Sequence, residues 1–183
     1  RKIINPPKDG ASVVLTIDYN IQLKTEQVLQ QAKEKWKAAS VSALVLDPQS
    51  GRILAMASLP NFDRNEFFKE KDYQTFVNPL VESMYEVGSV MKPITFAAAL
   101  NEGVIKPETT YNDQGTVSIS GYDINNADGK AHQIQTMTQV LEKSLNTGAV
   151  FISRLLGQKN QLDYLRRFGF GSKIGIDLPG EVS

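Results

Sequence analysis

The sequence predicts a mixed α/β domain, on three observations. Two apolar, partly β-branched runs at residues 41–47 and 52–58 flank Pro48-Gln49-Ser50-Gly51, the chemistry of a tight hairpin connection. Several stretches space apolar residues three or four apart and stop at a glycine, as helices with one buried face do. No repeat or low-complexity tract breaks the pattern.

The elements follow in order. Residues 1–12 form a polar, proline-containing lead-in. The chain opens at Arg1 without an initiator Met and reads as a piece cut from a longer protein. Residues 13–17 (Val-Val-Leu-Thr-Ile) are predicted to form a short strand. Asp18 is a good N-cap for a helix running to about residue 39, with Ile21, Val28, Leu29, Ala32 and Trp36 as its buried stripe. The hairpin comes next, then a turn-rich exit at 60–65 and a mixed stretch at 66–87. A helix is predicted from about Ser89 to Asn101, stopping at Gly103. Pro93 suits it, because the first amides of a helix have no internal acceptor. Residues 104–135 read as irregular, with one small hairpin around 116–124. Helical patterns resume at 138–143, 147–156 and 160–168, and the tail from Gly171 is loop-like.

Composition removes several kinds of chemistry. A chain of 183 residues fits one domain, or one domain plus an arm. It is 41% apolar and 22% charged, with zero formal net charge, so nothing points to an electrostatic nucleic-acid binder. With no cysteine there are no disulfides, thiolate nucleophiles or cysteine metal sites. His132 is the sole histidine, in a polar loop, and no local signature makes it part of a Ser-His-Asp triad. No apolar run approaches the roughly 18 residues that span a bilayer.

One stretch combines groups that can react. Gly88-Ser89-Val90-Met91-Lys92-Pro93 places a hydroxyl and an amine three residues apart at a helix start. Residues i and i+3 share a face, so Ser89 and Lys92 can meet. A serine is a weak nucleophile until a neighbour takes its proton, and a lysine kept neutral by burial can do so. The small, apolar run Phe96-Ala97-Ala98-Ala99-Leu100 lets the helix pack closely and bury Lys92. A Ser-x-x-Lys spacing alone occurs about once by chance in a chain this long, and a capping serine with a solvated lysine is the plain alternative. Ser144-Leu145-Asn146, between two helical segments, supplies a second hydroxyl that could shuttle a proton and an amide that could hold Lys92 or a substrate backbone. By itself it is an ordinary capping or turn element.

Together the two elements resemble the signature of penicillin-binding proteins and β-lactamases. The likeness extends along the chain. Residues 47–58 (Asp-Pro-Gln-Ser-Gly-Arg-Ile-Leu-Ala-Met-Ala-Ser) look like the first hairpin of a transpeptidase domain. Pro60-Asn61-Phe62-Asp63-Arg64-Asn65 resembles the segment that follows it in class B penicillin-binding proteins. Val14-Leu15-Thr16-Ile17-Asp18 with Ile21-Gln22 is similar to their entry into the first helix, and Gly175-Ile176-Asp177-Leu178-Pro179-Gly180-Glu181 to a stretch after their Ser-x-Asn loop. Two departures stand out. Val87 replaces the proline that often precedes the glycine before the serine, and no Lys-Thr/Ser-Gly strand is present, Lys173-Ile174-Gly175 lying upstream of its place.

The resemblance implies the penicillin-binding protein/β-lactamase-like transpeptidase fold, an antiparallel sheet flanked by helices. It makes residues 1–183 a partial domain truncated before the Lys-Thr-Gly strand. It implies a peptidoglycan D,D-transpeptidase with Ser89 as nucleophile, Lys92 as base, Ser144 as proton relay and Asn146 as the group that positions Lys92 and substrate. No cofactor or metal is implied. The implied partners are stem peptides ending in D-Ala-D-Ala, β-lactams and, for the parent protein, a membrane glycosyltransferase. The implied location is extracytoplasmic, with an N-terminal transmembrane anchor outside this chain. A serine β-lactamase or β-lactam sensor, and a non-catalytic scaffolding module of the cell-wall machinery, are the alternatives.

Overall fold

The computed structural model describes residues 10–182, so most of the expected lead-in lies outside the described residues. The chain divides into two compact units, the first ending at Ser83 and the second beginning at Met84. The mixed α/β class is as expected, with its strands arranged as three two-stranded antiparallel sheets among the described residues.

The first unit is a helix laid on a hairpin. Helix α1 spans Tyr19–Trp36. The Asp18 carboxylate caps it, accepting the amides of Asn20 at 2.9 Å and Ile21 at 3.0 Å. Strands β1 (Val41–Leu46) and β2 (Ile53–Leu59) pair antiparallel, Val41 opposite Leu59, with a bulge between Val45 and Leu46. In the turn the Asp47 carboxylate accepts the Gln49 amide and the Ser50 hydroxyl, and the Asp47 amide donates to the Arg52 carbonyl at 2.9 Å. Gln22 pins α1 to β2 through a reciprocal pair. Its amide NH₂ donates to the Met56 carbonyl at 3.0 Å and its oxygen accepts the Met56 N–H at 2.8 Å. Among the described residues of this unit the buried apolar ones are Leu29, Ala55, Ala57 and, in α2 (Pro79–Glu82), Val81.

Two expectations fail here. Residues 13–17 form no strand. Among the described residues they and Asp18 hydrogen-bond to β2 only through the Thr16 hydroxyl on the Ile53 carbonyl and the Asp18 N–H on the Leu54 carbonyl. One backbone bond does not make a ladder, and Val13, Val14 and Leu15 stay exposed. Val28 and Trp36 are also exposed, against the expected stripe. Val28 lies about 100° around the helix from buried Leu29. Trp36 is the last helical residue, with the Lys35 ammonium over its ring at 5.2 Å.

The second unit opens with a single 3-10 turn, Gly88–Met91, that runs into α3 (Lys92–Asn101). The predicted helix therefore begins as 3-10, and proline explains why. In an α-helix the Ser89 carbonyl would accept the N–H of residue 93, which Pro93 lacks. It accepts the Lys92 N–H instead, an i to i+3 bond. Strands β3 (Thr110–Asp113) and β6 (Gln133–Thr136) pair with each other and bracket the expected hairpin, β4 (Thr116–Ile119) with β5 (Tyr122–Asn125). Reading 110–113 and 133–136 as irregular was wrong. The strands are four residues long and mostly polar, and in β3 only Tyr111 and Asp113 turn inward, too short an alternation to register as a strand pattern.

Helices α4 (Met137–Glu142), α5 (Asn146–Leu156) and α6 (Gln158–Arg167) fall within two residues of the predicted starts. A capping box joins Thr136 and Gln139 at the head of α4. Phe96, Ala99, Ile105, Tyr111, Met137, Val140, Leu145 and Ile152 form the core. Val140 and Ile152 have no exposed surface, a burial that contributes about 1.5–3 kcal/mol for each such side chain. Leu145 carries particular weight, because it anchors the Ser144–Asn146 turn in that core. No described helix is long and apolar enough to cross a membrane.

Candidate active site

All four residues singled out in the sequence meet around one amine, within the second unit. Lys92 lies at the first position of α3 and is buried. Its Nζ stands 3.1 Å from Ser89 Oγ, 2.9 Å from Ser144 Oγ, 2.6 Å from the Ser144 carbonyl and 2.7 Å from Asn146 Oδ1. Ser144 Oγ lies 3.0 Å from Ser89 Oγ, which closes a triangle of two hydroxyls and the amine. Ser89 itself faces solvent.

The electrostatics follow from the partners. None of the four groups on Lys92 is charged. Burial, with no carboxylate among the described residues to offset it, holds its pKa below the usual lysine value of 10.5. The Ser144 carbonyl and Asn146 Oδ1 can only accept, so they fix two of the amine's N–H bonds. The remaining tetrahedral position is directed at the hydroxyls. In the neutral amine that position is a lone pair.

Local structure sets these positions. Ser144 has φ of 54°, a conformation uncommon for a residue with a side chain. It turns the chain from α4 into α5 and brings its carbonyl and hydroxyl onto the same amine. Asn146 begins α5. Its Nδ2 donates to the Asn125 carbonyl at 2.8 Å, which leaves Oδ1 for Lys92. Gly148, one residue beyond Thr147, admits close packing. A Cβ there would lie 2.5 Å from Val140 Cγ1 and 2.9 Å from the Tyr111 hydroxyl.

Sequence reasoning missed the polar layer behind this triangle. Asp113, Asn126 and Thr147 are buried and joined. Thr147 Oγ1 donates to Asp113 Oδ1 at 2.7 Å, and Asn126 Nδ2 donates to Asp113 Oδ2 at 2.8 Å. The only signal in the sequence was the density of Asn, Asp and Gly in 112–129, which also fits ordinary turns. His132 stays outside the triangle. Its ring pairs with Asp128 at 2.9 Å, and its backbone N–H donates to Asp113. Lys173-Ile174-Gly175 is a loop whose second and third amides donate to the Glu181 carboxylate, not a strand.

Residues 41–183 match the family described as the penicillin binding protein transpeptidase domain. The chain is 36% identical over 172 residues to the penicillin-binding protein PbpB of Mycobacterium tuberculosis, covering 94% of this chain and 25% of that protein. It is 30% identical over 189 residues to the peptidoglycan D,D-transpeptidase MrdA of Salmonella typhimurium, covering 96% of this chain and 29% of that protein. A crystal structure of penicillin binding protein 3 from Mycobacterium tuberculosis, complexed with aztreonam, superposes with a TM-score of 0.86 at 35% identity, over 99% of this chain and 40% of that one. The chain thus spans about a quarter of the length of the curated relatives it matches.

Proposed function

This chain belongs to the penicillin-binding protein transpeptidase family and has its mixed α/β fold, and from that premise we propose that it carries the acylation centre of a peptidoglycan D,D-transpeptidase. The observation that carries the reading is the buried amine of Lys92, without a carboxylate partner among the described residues and 3.1 Å from the exposed Ser89 hydroxyl.

In this reading neutral Lys92 takes the Ser89 proton as Oγ bonds to the carbonyl carbon of a D-Ala-D-Ala stem peptide. The amide of Ser89, at the open start of its 3-10 turn, faces the developing oxyanion. Ser144 Oγ, within reach of both Lys92 and Ser89, passes the proton to the nitrogen of the departing D-Ala as the C–N bond breaks. Asn146 holds Lys92 and one edge of the substrate backbone. An amine of a neighbouring stem peptide then attacks the ester, forms the cross-link and returns Ser89. A β-lactam enters the same first step, but its opened ring stays tethered, so the acyl-enzyme persists.

The Lys-Thr/Ser-Gly strand expected to bind the substrate carboxylate does not occur in this sequence. The resemblance adds an extracytoplasmic location, a membrane anchor and a membrane glycosyltransferase partner for the whole protein. The test is a fluorescent penicillin on the full-length protein and its Ser89→Ala variant. Labelling of the first and not the second is expected. Labelling that survives Ser89→Ala overturns the assignment.

A further inference from the structure

We propose that Asn126 is a positioning residue for acylation: clamped by the buried Asp113 carboxylate, its amide seats the first turn of α5 so that Ser144 and Asn146 stay on Lys92. This rests on the reading of Ser89 as the acylated residue.

Asn126 is 3% exposed and uses both ends of its side-chain amide. Oδ1 accepts the backbone N–H of Asn146 at 3.0 Å and of Thr147 at 3.4 Å. Nδ2 donates to Asp113 Oδ2 at 2.8 Å and to the Lys130 carbonyl at 3.1 Å. These partners leave no freedom to flip the amide. The preceding residue contributes its own carbonyl, which accepts Asn146 Nδ2 at 2.8 Å. The dipeptide Asn125-Asn126 therefore holds Asn146 twice, by its backbone amide and by its side chain. With Nδ2 engaged there, Oδ1 is the end that meets Lys92, at 2.7 Å.

Asp113 anchors the clamp. It is 1% exposed, and its carboxylate accepts four bonds: from Gly115 N–H at 2.9 Å, Thr147 Oγ1 at 2.7 Å, Asn126 Nδ2 at 2.8 Å and His132 N–H at 3.0 Å. Its bonds reach the amino end of α5 through Thr147, where the helix dipole favours negative charge. Around it, β3 contributes the Tyr111 hydroxyl, which sits 3.2 Å from Thr147 Oγ1. Lys130 and His132 engage this cluster through backbone atoms.

Asp113 and Asn126 reach Lys92 only through Asn146, whose side-chain amide is the neutral group on the amine. A carboxylate bonded directly to the amine would favour the ammonium form, and an ammonium cannot accept the Ser89 proton. Asn126 passes on the rigidity of an ionic anchor through an uncharged group.

The experiment uses the full-length protein and measures, with a fluorescent penicillin, the non-covalent constant K and the acylation constant k2 against pH, alongside the unfolding temperature. Asn126→Ala is expected to lower k2 by about 10- to 100-fold with K little changed, on the scale of removing an outer partner that orients a metal ligand. Asn126→Asp keeps the acceptor for the two α5 amides. It is expected to recover k2 while the carboxylates at positions 113 and 126 share a proton, and to lose it again as rising pH removes that proton. A purely structural role would lower the unfolding temperature without this pH-dependent split, and would overturn the proposal. So would wild-type k2 in Asn126→Ala, or an Asn126→Asp rate that keeps a constant ratio to wild type across pH. If Asn126→Ala does not fold, the Asn126→Asp profile decides alone. Labelling that survives Ser89→Ala defeats the reading beneath the proposal, whereas Ser89-dependent labelling that ignores position 126 defeats the proposal only.

Discussion

Lys92 Nζ lies 3.1 Å from Ser89 Oγ across one helical turn, and every group that touches the amine is uncharged. In the proposed reaction this pair makes acylation depend on pH through the amine. Burial lowers the Lys92 pKa from 10.5, so the base becomes available at a lower pH than an ordinary lysine. Acylation by a β-lactam is expected to rise with pH as Lys92 loses its proton, with the midpoint of that rise below 10.5. A stopped-flow profile of the second-order rate checks it. A midpoint at or above the ordinary lysine value removes neutral Lys92 as the base.

Ser144 touches Lys92 twice, by hydroxyl and by carbonyl. Ser144→Ala removes the hydroxyl and keeps the carbonyl, so Lys92 remains held. The acylation rate is expected to fall by about 10²- to 10⁴-fold, the usual weight of a proton-transfer group, while the unfolding temperature changes little. A near-wild-type rate would assign the relay to water.

Gly148 sets how closely α5 approaches α4 and β3. In Gly148→Ala the new Cβ meets Val140 Cγ1 at 2.5 Å and Cγ2 at 2.8 Å. Overpacking of this kind costs about 1–3 kcal/mol. Chemical denaturation should show that loss. Acylation should slow with it, because α5 carries Asn146. Unchanged stability would mean that Val140 has room to turn aside.

Asp113 links stability to acid. Burial raises its pKa, and the bonds from Thr147, Gly115, His132 and Asn126 outweigh that, so the folded value lies below 3.8. The folded state then binds this proton less readily than the unfolded chain. The stability it contributes is full above pH 3.8 and is lost as pH falls through the folded value. Asp113→Asn is expected to flatten that acid limb in melting curves taken against pH, at the cost of lower stability near neutrality. An acid limb as steep as wild type would place the effect on other carboxylates.

Much of this was legible because the decisive signals are local. The hairpin was readable from Pro48 and Gly51 between two apolar runs, and α1 from its Asp18 cap. The Ser89-Lys92 encounter follows from helical spacing alone. What was not legible depends on partners far along the chain. Residues 13–17 have the composition of a strand, yet a strand exists only where a neighbour pairs with it, and the one backbone bond to β2 comes from Asp18, just beyond them. Strands β3 and β6 were hidden for the opposite reason, since their pairing joins residues twenty or more apart and little apolar alternation marks it. Asn126 and Asp113 read as turn residues, because nothing near them reveals that Asn146 and Thr147 arrive on top of them.

The most direct test of the account is to treat the full-length protein with a β-lactam, digest it, and locate the acyl group by fragment mass spectrometry. The account predicts one adduct, on Ser89, absent from Ser89→Ala and strongly reduced in Lys92→Ala. An adduct on Ser144, or one that forms at the wild-type rate without Lys92, would contradict it.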